Sequence, residues 1–144
     1  MKITTTRFGE IEVEDQAIIS VPGGLIGFSD HERYMIIEHK PESPFFWFQA
    51  VDRSDLAFVI ANPFIFKHDY DVQLNDAILD ELGIEDQEDV AVYVIVTVPH
   101  GQPQGMTANL LGPLIINTKS KVVKQIILND DRYSHRHPLI SQES

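Results

Sequence analysis

The 144-residue chain contains no cysteine, which excludes disulfides, thiol nucleophiles and thiolate metal centres and suits a reducing compartment. It has no apolar run approaching the roughly 18 residues needed to span a bilayer. Its start, MKITTTRFGEIEVE, lacks the apolar stretch of a secretory signal. These absences predict a cytoplasmic protein without a membrane role. The composition is otherwise ordinary for a globular chain, with 43% apolar residues and eight Pro and eight Gly spread along it. At this length one core can bury most apolar side chains, so the expectation is a single domain over 1–140, with SQES (141–144) as a frayed tail.

Positive charge is the other scarcity. Eleven Lys and Arg face 22 Asp and Glu, for a net charge of -11. The imbalance is uneven: residues 1–100 hold 19 acids and 6 bases, residues 101–144 hold 3 acids and 5 bases. A field of that sign repels phosphate backbones and attracts basic surfaces, so direct nucleic-acid binding is disfavoured and a basic protein partner is favoured. The extreme is DYDVQLNDAILDELGIEDQED, residues 69–89, with nine acids and no Lys or Arg. Solubility alone can account for a solvated acidic face. Like charges at this density also repel one another and weaken folding, so the patch is easier to understand if something positive docks there. Asp76, Asp80 and Glu81 on a short helix, and Glu85, Asp86, Glu88 and Asp89 in the turn after it, are the candidate contact residues.

Periodicity predicts strands almost throughout. GEIEVEDQ places Ile11 and Val13 on one face and Glu10, Glu12 and Glu14 on the other, and KITTT pairs with it through a turn at RFGE, where Gly9 can take positive φ. AIISV, RYMIIE, FFWFQAV, LAFVIA, DVAVYVIVTV, GMTANLL, PLIIN and VVKQIIL follow, short, β-branched or aromatic, and bounded by Gly, Pro or Asp/Asn. Many short strands predict a mostly β, barrel-like fold of antiparallel strands with one or two short helices. VAVYVIVTV is apolar on both faces and so central, and Pro99 ends it. The two helical candidates are SDHE, with Ser29 and Glu32 at capping-box spacing, and NDAILDELG, with Asn75 as N-cap and Gly83 as C-cap.

Catalytic motifs are weak. GFSDH supplies the first four positions of a nucleophile elbow, but His31 stands where the last glycine belongs, and Ser29 reads better as a cap. PGGLIGF has no following lysine and reads as a tight turn rather than a phosphate cradle. His135 and His137 in DDRYSHRHP have a spacing that could hold a metal beside Asp130 or Asp131, against the plainer reading of a solvated tail. No enzyme, metal or cofactor is expected. SPFFWFQAVD puts bulky aromatics on both faces of one strand, either as core or, through Phe46 and Trp47, as one wall of an apolar groove for a partner.

In order and spacing, TRFGEIEV, VPGGLIGFSD, FFWFQAVDRSDLAFVIANP and ANLLGPLIINTKSKVVKQIIL resemble the flagellar assembly factor FliW family over residues 3–128, including Gly24, Leu25, Gly27, Phe28, Trp47, Gln49, Pro63, Asn109, Leu110, Pro113, Asn117 and Gln125. Gly112 stands where a slightly larger residue such as alanine is expected, and Phe48 where an aliphatic is more usual. The resemblance implies a small β-barrel-like, non-enzymatic protein, a monomer when free. It implies two alternative partners: flagellin, and CsrA, a basic RNA-binding dimer that represses translation. Flagellin export would then release the protein to bind CsrA and lift repression, a switch run by mass action. The competing class is a single-strand nucleic-acid binder stacking bases on Phe46 or Trp47, which would need a positive groove.

Overall fold

In the computed structural model residues 2–38, 43–98 and 105–139 are described. The opening alternation forms a hairpin in which β1 (Lys2–Thr5) and β2 (Gly9–Glu12) pair antiparallel, Ile3 opposite Ile11. Gly9 takes φ +69°, as the turn requires. The Thr5 hydroxyl closes that turn, donating to the Gly9 carbonyl at 2.9 Å and accepting from the Phe8 N–H at 2.8 Å.

Among the described residues nine further strands follow: β3 (Ile19–Ser20), β4 (Arg33–Glu38), β5 (Phe45–Ala50), β6 (Ala57–Ala61), β7 (Val90–Thr97), β8 (Thr107–Ala108), β9 (Leu114–Asn117), β10 (Val122–Gln125) and β11 (His137–Pro138). They run in the order β11-β8-β7-β6-β5-β4-β3-β10-β9, and β9 also pairs with β7. That last pairing closes a seven-stranded barrel, β7-β6-β5-β4-β3-β10-β9, with β8 and β11 continuing beyond it. Closure removes exposed sheet edges. The tie of β10 to β3 is one parallel bridge, Val122 with Ser20, reinforced where Gln125 Oε1 accepts from the Ile26 N–H at 2.9 Å.

Strand β7 is central, as its sequence predicts. It pairs with β6 along one edge and with β9, then β8, along the other. Its apolar character on both faces has a simple cause. Ala91, Tyr93 and Ile95 pack on the barrel interior with Tyr34, Phe48, Ile60, Leu114 and Val123. Val90, Val92, Val94 and Val96 face outward and are covered by Tyr70, Val72, Leu82, Leu110 and Tyr133. Phe48, Ile60 and Leu114 are wholly buried, each contributing about 1.5–3 kcal/mol. Phe48 lies flat on Tyr34, with centroids 4.5 Å apart and planes at 2°. An aromatic at position 48 is thus used as a stacking partner.

Among the described residues there are two α-helices, α1 (Pro63–Phe66) and α2 (Asp76–Leu82). Helix α2 begins and ends on its expected caps: Asn75 Oδ1 accepts from the Ile78 N–H at 2.9 Å, and Gly83 is left-handed at φ +68°. Helix α1 was not expected, yet its signal is local. Asn62 caps the Phe64 N–H at 2.9 Å, and Pro63 fills the first helical position.

Three expectations need correction. SDHE is a turn, not a helix: Glu32 Oε1 accepts from the Gly23 N–H at 2.7 Å, which draws the carboxylate away from any capping box. Strand β10 stops at Gln125 instead of running to Leu128. Opposite it, Pro113 has no N–H for the ladder, so Ile126 and Leu128 donate singly to the Pro113 and Leu111 carbonyls. GMTANLL is strand only over β8, because the Leu110 N–H turns away to the Ser134 carbonyl. The expected end of β7 at Pro99 and the frayed tail at 141–144 lie outside the described residues.

Candidate functional site

Helix α2 buries Leu82 and half-buries Ile78 and Leu79, a stripe at the spacing of one helical face, which leaves Asp76, Asp80 and Glu81 exposed. A single turn of 3-10 helix, Gln87–Asp89, follows, capped where Asp86 Oδ1 accepts from the Glu88 N–H at 3.1 Å. Glu85, Asp86 and Glu88 are exposed and Asp89 is half-buried. The expected acidic residues are thus exposed, Asp89 in part, along the segment that runs from the helix into β7.

This segment is fixed to the barrel by Asn117, which is 4% exposed. Its Nδ2 donates to the Leu82 carbonyl at 2.8 Å and lies 3.3 Å from the Gly83 carbonyl, while its Oδ1 accepts from Lys119 N–H at 3.0 Å and Ser120 N–H at 3.3 Å. One amide thus satisfies both the helix end and the β9–β10 turn.

The sequence reading of a patch without nearby bases is corrected by the fold. Lys124 reaches Glu81 at 3.1 Å and Lys119 reaches Asp89 at 3.3 Å, both from the neighbouring hairpin, and Lys67 meets Asp69 at 2.8 Å. The Lys67 ammonium, through its hydrogen bond and its charge, holds the Asp69 carboxyl below the usual range. Exposed pairs of this kind contribute little stability. Among the described residues, Asp76, Asp80, Glu85, Asp86 and Glu88 form no ion pair. The uncompensated charge is concentrated on α2, at Asp76 and Asp80, and in the turn after it.

Beside that charge runs a groove of about 760 Å³, floored by the outer face of β7 at Val90 and Val92, walled by Val72, Leu74 and Ile84, and edged by Glu85 and Asp86. Sequence reasoning missed this wall. Its only signal was the alternation in DVQL, short enough to pass for loop.

Phe46 and Trp47 point in opposite directions. Phe46 joins the barrel interior, edge-on to Tyr93 at 5.9 Å, whereas the half-buried Trp47 lies outside with the Arg7 guanidinium 4.3 Å from its ring centre and Phe8 edge-on at 6.4 Å. Both aromatics nonetheless line a second groove of about 700 Å³, together with Phe45, Phe58, Val96 and Met106; among the described residues Arg7 is the one charged side chain on it. Within it the indole is a covered wall rather than a free stacking platform.

Catalytic and metal readings gain no geometry. His31 Nδ1 lies 2.9 Å from Asp52 Oδ1, and Ser29 makes no hydrogen bond to it. His137 sits in β11 opposite Ala108, and burial, then the Lys67 charge, hold its pKa below the ordinary imidazole value. Among the described residues no three His, Asp or Glu side chains gather to hold a metal, and no helix is long and apolar enough to cross a membrane.

Several residues that carry the sequence resemblance prove to hold backbone rather than to form a site. The Gln49 Nε2 lies within 3.0–3.3 Å of the Ala50, Arg53, Ser54 and Leu56 carbonyls, and a Cβ on Gly24 would stand 2.4 Å from the Phe28 carbonyl oxygen. Comparison with known proteins bears out the resemblance that those residues carry. The sequence model described as "FliW protein" matches residues 2–139. The flagellar assembly factor FliW of Alkaliphilus metalliredigens is 46% identical over 143 residues, covering 99% of this chain and 88% of that protein. Its namesake from Natranaerobius thermophilus is 40% identical, with 99% and 95% covered. A solved structure, "Crystal structure of the flagellar assembly factor FliW", superposes over 100% of both chains with a TM-score of 0.91 at 33% identity. Barrel, backbone-holding side chains and near-complete coverage agree: the chain belongs to the FliW family.

Proposed function

We propose that the protein is a non-enzymatic cytoplasmic regulator of flagellar assembly that binds the translational repressor CsrA through its acidic face and alternately binds unexported flagellin. The observation that carries the reading is the set of five exposed carboxylates between Asp76 and Glu88 that form no ion pair among the described residues. Such a surface attracts a basic RNA-binding protein and, held beside it, repels incoming RNA. The Trp47 groove, apolar and without a carboxylate among the described residues that line it, suits an apolar helix such as a flagellin terminus would present. Two grooves of different chemistry fit two partners of different chemistry. The single-strand nucleic-acid alternative loses support, because the Trp47 ring is already covered by Arg7 and Phe8 and the net charge is -11.

The test is the variant Glu85→Gln, Asp86→Ser, Glu88→Gln, in which serine keeps the cap on residue 88. CsrA affinity should fall about tenfold, equivalent to ~1.4 kcal/mol, with a flatter salt dependence. Unchanged affinity in the folded variant would discard the acidic face as the contact.

A further inference from the structure

Residues 72–74 have the exposure pattern of a strand and lack a partner strand. Val72 and Leu74 are half-buried against the cores beneath them, while Asp71, Gln73 and Asn75 are exposed. The N–H of Asp71 is held by the Tyr133 hydroxyl at 2.7 Å. Beyond it, the backbone N–H and C=O groups of Val72, Gln73 and Leu74 hydrogen-bond to no described residue. The barrel itself is closed, and this stretch presents unpaired backbone groups on the wall of an open groove. In the period of a strand the polar groups of Val72 and Leu74 share the edge away from Asp71's tethered N–H. Apolar side chains of β7 floor the groove and Glu85 and Asp86 edge it.

We propose that this groove takes an extended, basic peptide segment of a partner protein, which adds a short strand to Val72–Leu74. Apolar side chains of the segment would rest on Val90 and Val92, and its lysines or arginines would meet Asp71, Glu85 and Asp86. Strand addition draws affinity from main-chain hydrogen bonds and specificity from alternate side chains. Charge selects the occupant: a second copy of this chain, at -11, would place acid against acid, whereas a basic segment is complementary. Three residues span about 10 Å of strand, so the addition is short and its affinity depends on the neighbouring carboxylates. The inference rests on the acidic face being a docking surface and specifies the partner's conformation there.

Amide hydrogen exchange of the full chain distinguishes this inference from the broader reading. It is measured on the chain alone, saturated with CsrA, and with an acetylated, amidated heptapeptide of alternating lysine and valine. A second peptide with all its backbone nitrogens methylated keeps every charge but loses the ladder donors on both edges. Slowing of exchange at Val72–Leu74 by tenfold or more with CsrA or with the unmethylated peptide, and at least tenfold weaker binding of the methylated peptide, is the expected result. If CsrA saturates the protein with those amides at their free rate, and the unmethylated peptide leaves them unprotected at millimolar concentration, strand addition is overturned while the partner assignment survives. If CsrA does not bind but the unmethylated peptide protects them, the partner assignment falls and the groove's preference stands.

Discussion

Asn117→Ala should loosen the acidic segment without touching a single acid. The Asn117 amide donates to the Leu82 carbonyl at 2.8 Å and its oxygen accepts from Lys119 N–H at 3.0 Å, in a side chain only 4% exposed. Losing two such bonds costs about 1 kcal/mol each, and the helix-end carbonyl left buried without a donor adds about 1–2 kcal/mol. The expected loss is about 3–4 kcal/mol, a large part of the roughly 5–15 kcal/mol typical of a domain. Urea unfolding should show a lower midpoint with an unchanged slope. Native-state hydrogen exchange should accelerate at the end of α2 and in residues 83–87 before it does in β5 or β6. Asn117→Asp is the near-isosteric control: it keeps the acceptors, turns a carboxylate toward the Leu82 and Gly83 carbonyls, and should be no better than alanine. A loss below about 0.5 kcal/mol in either variant would refute the reasoning that this amide fastens the segment.

Tyr34 is wholly buried, its hydroxyl makes no hydrogen bond, and burial, then the Asp52 charge, push its pKa up to about 12. Tyr34→Phe should therefore be neutral or stabilising by about 1 kcal/mol at pH 7. Because the folded pKa lies above the unfolded one, the wild type keeps this contribution below pH 10 and loses about 2–3 kcal/mol as pH rises through 12, a loss that denaturation curves of the phenylalanine variant should lack. For His137 the sign reverses: its folded pKa is lowered, so the contribution is present above about pH 6.5 and lost as pH falls below it, and His137→Gln should flatten the melting temperature between pH 7.5 and 5. Gly24→Ala meets the Phe28 carbonyl oxygen at 2.4 Å from a backbone at φ +72° and should cost about 3 kcal/mol or prevent folding. Gly112→Ala meets only the side-chain ends of Asn109 at 2.9 Å and Gln125 at 3.2 Å, which can move, and should cost no more than about 1 kcal/mol by chemical denaturation.

The strands and the second helix were legible because their signals are local. Alternation in GEIEVE, caps at Asn75 and Gly83, and apolarity on both faces of VAVYVIVTV each reflect an environment that a few neighbouring residues specify. What stayed hidden depends on distant partners. Glu32 has capping-box spacing, and only the fold brings the Gly23 N–H to its carboxylate. Lys119 and Lys124 lie more than 25 residues from the acids they meet, so charge clustering along the sequence overstated clustering in space. The aromatic run FFWF left core and groove unresolved because it serves both: Phe46 and Phe48 turn into the barrel, and Trp47 faces out under Arg7. The polar residues of the family pattern were legible as positions but not as roles. Gln49 gathers the carbonyls of the turn that follows it, and Asn117 and Gln125 reach backbone groups far along the chain, at Leu82 and Ile26, tasks that no spacing rule encodes.

The central claim is that an acidic face on this barrel engages a basic repressor and gives it up to flagellin. Calorimetric titration with purified CsrA at low and high salt, repeated after saturation with flagellin, tests it most directly. Binding that weakens with salt and vanishes in the flagellin complex is the predicted result. No binding by calorimetry and by a second, label-based method, or binding indifferent to both salt and flagellin, would contradict it.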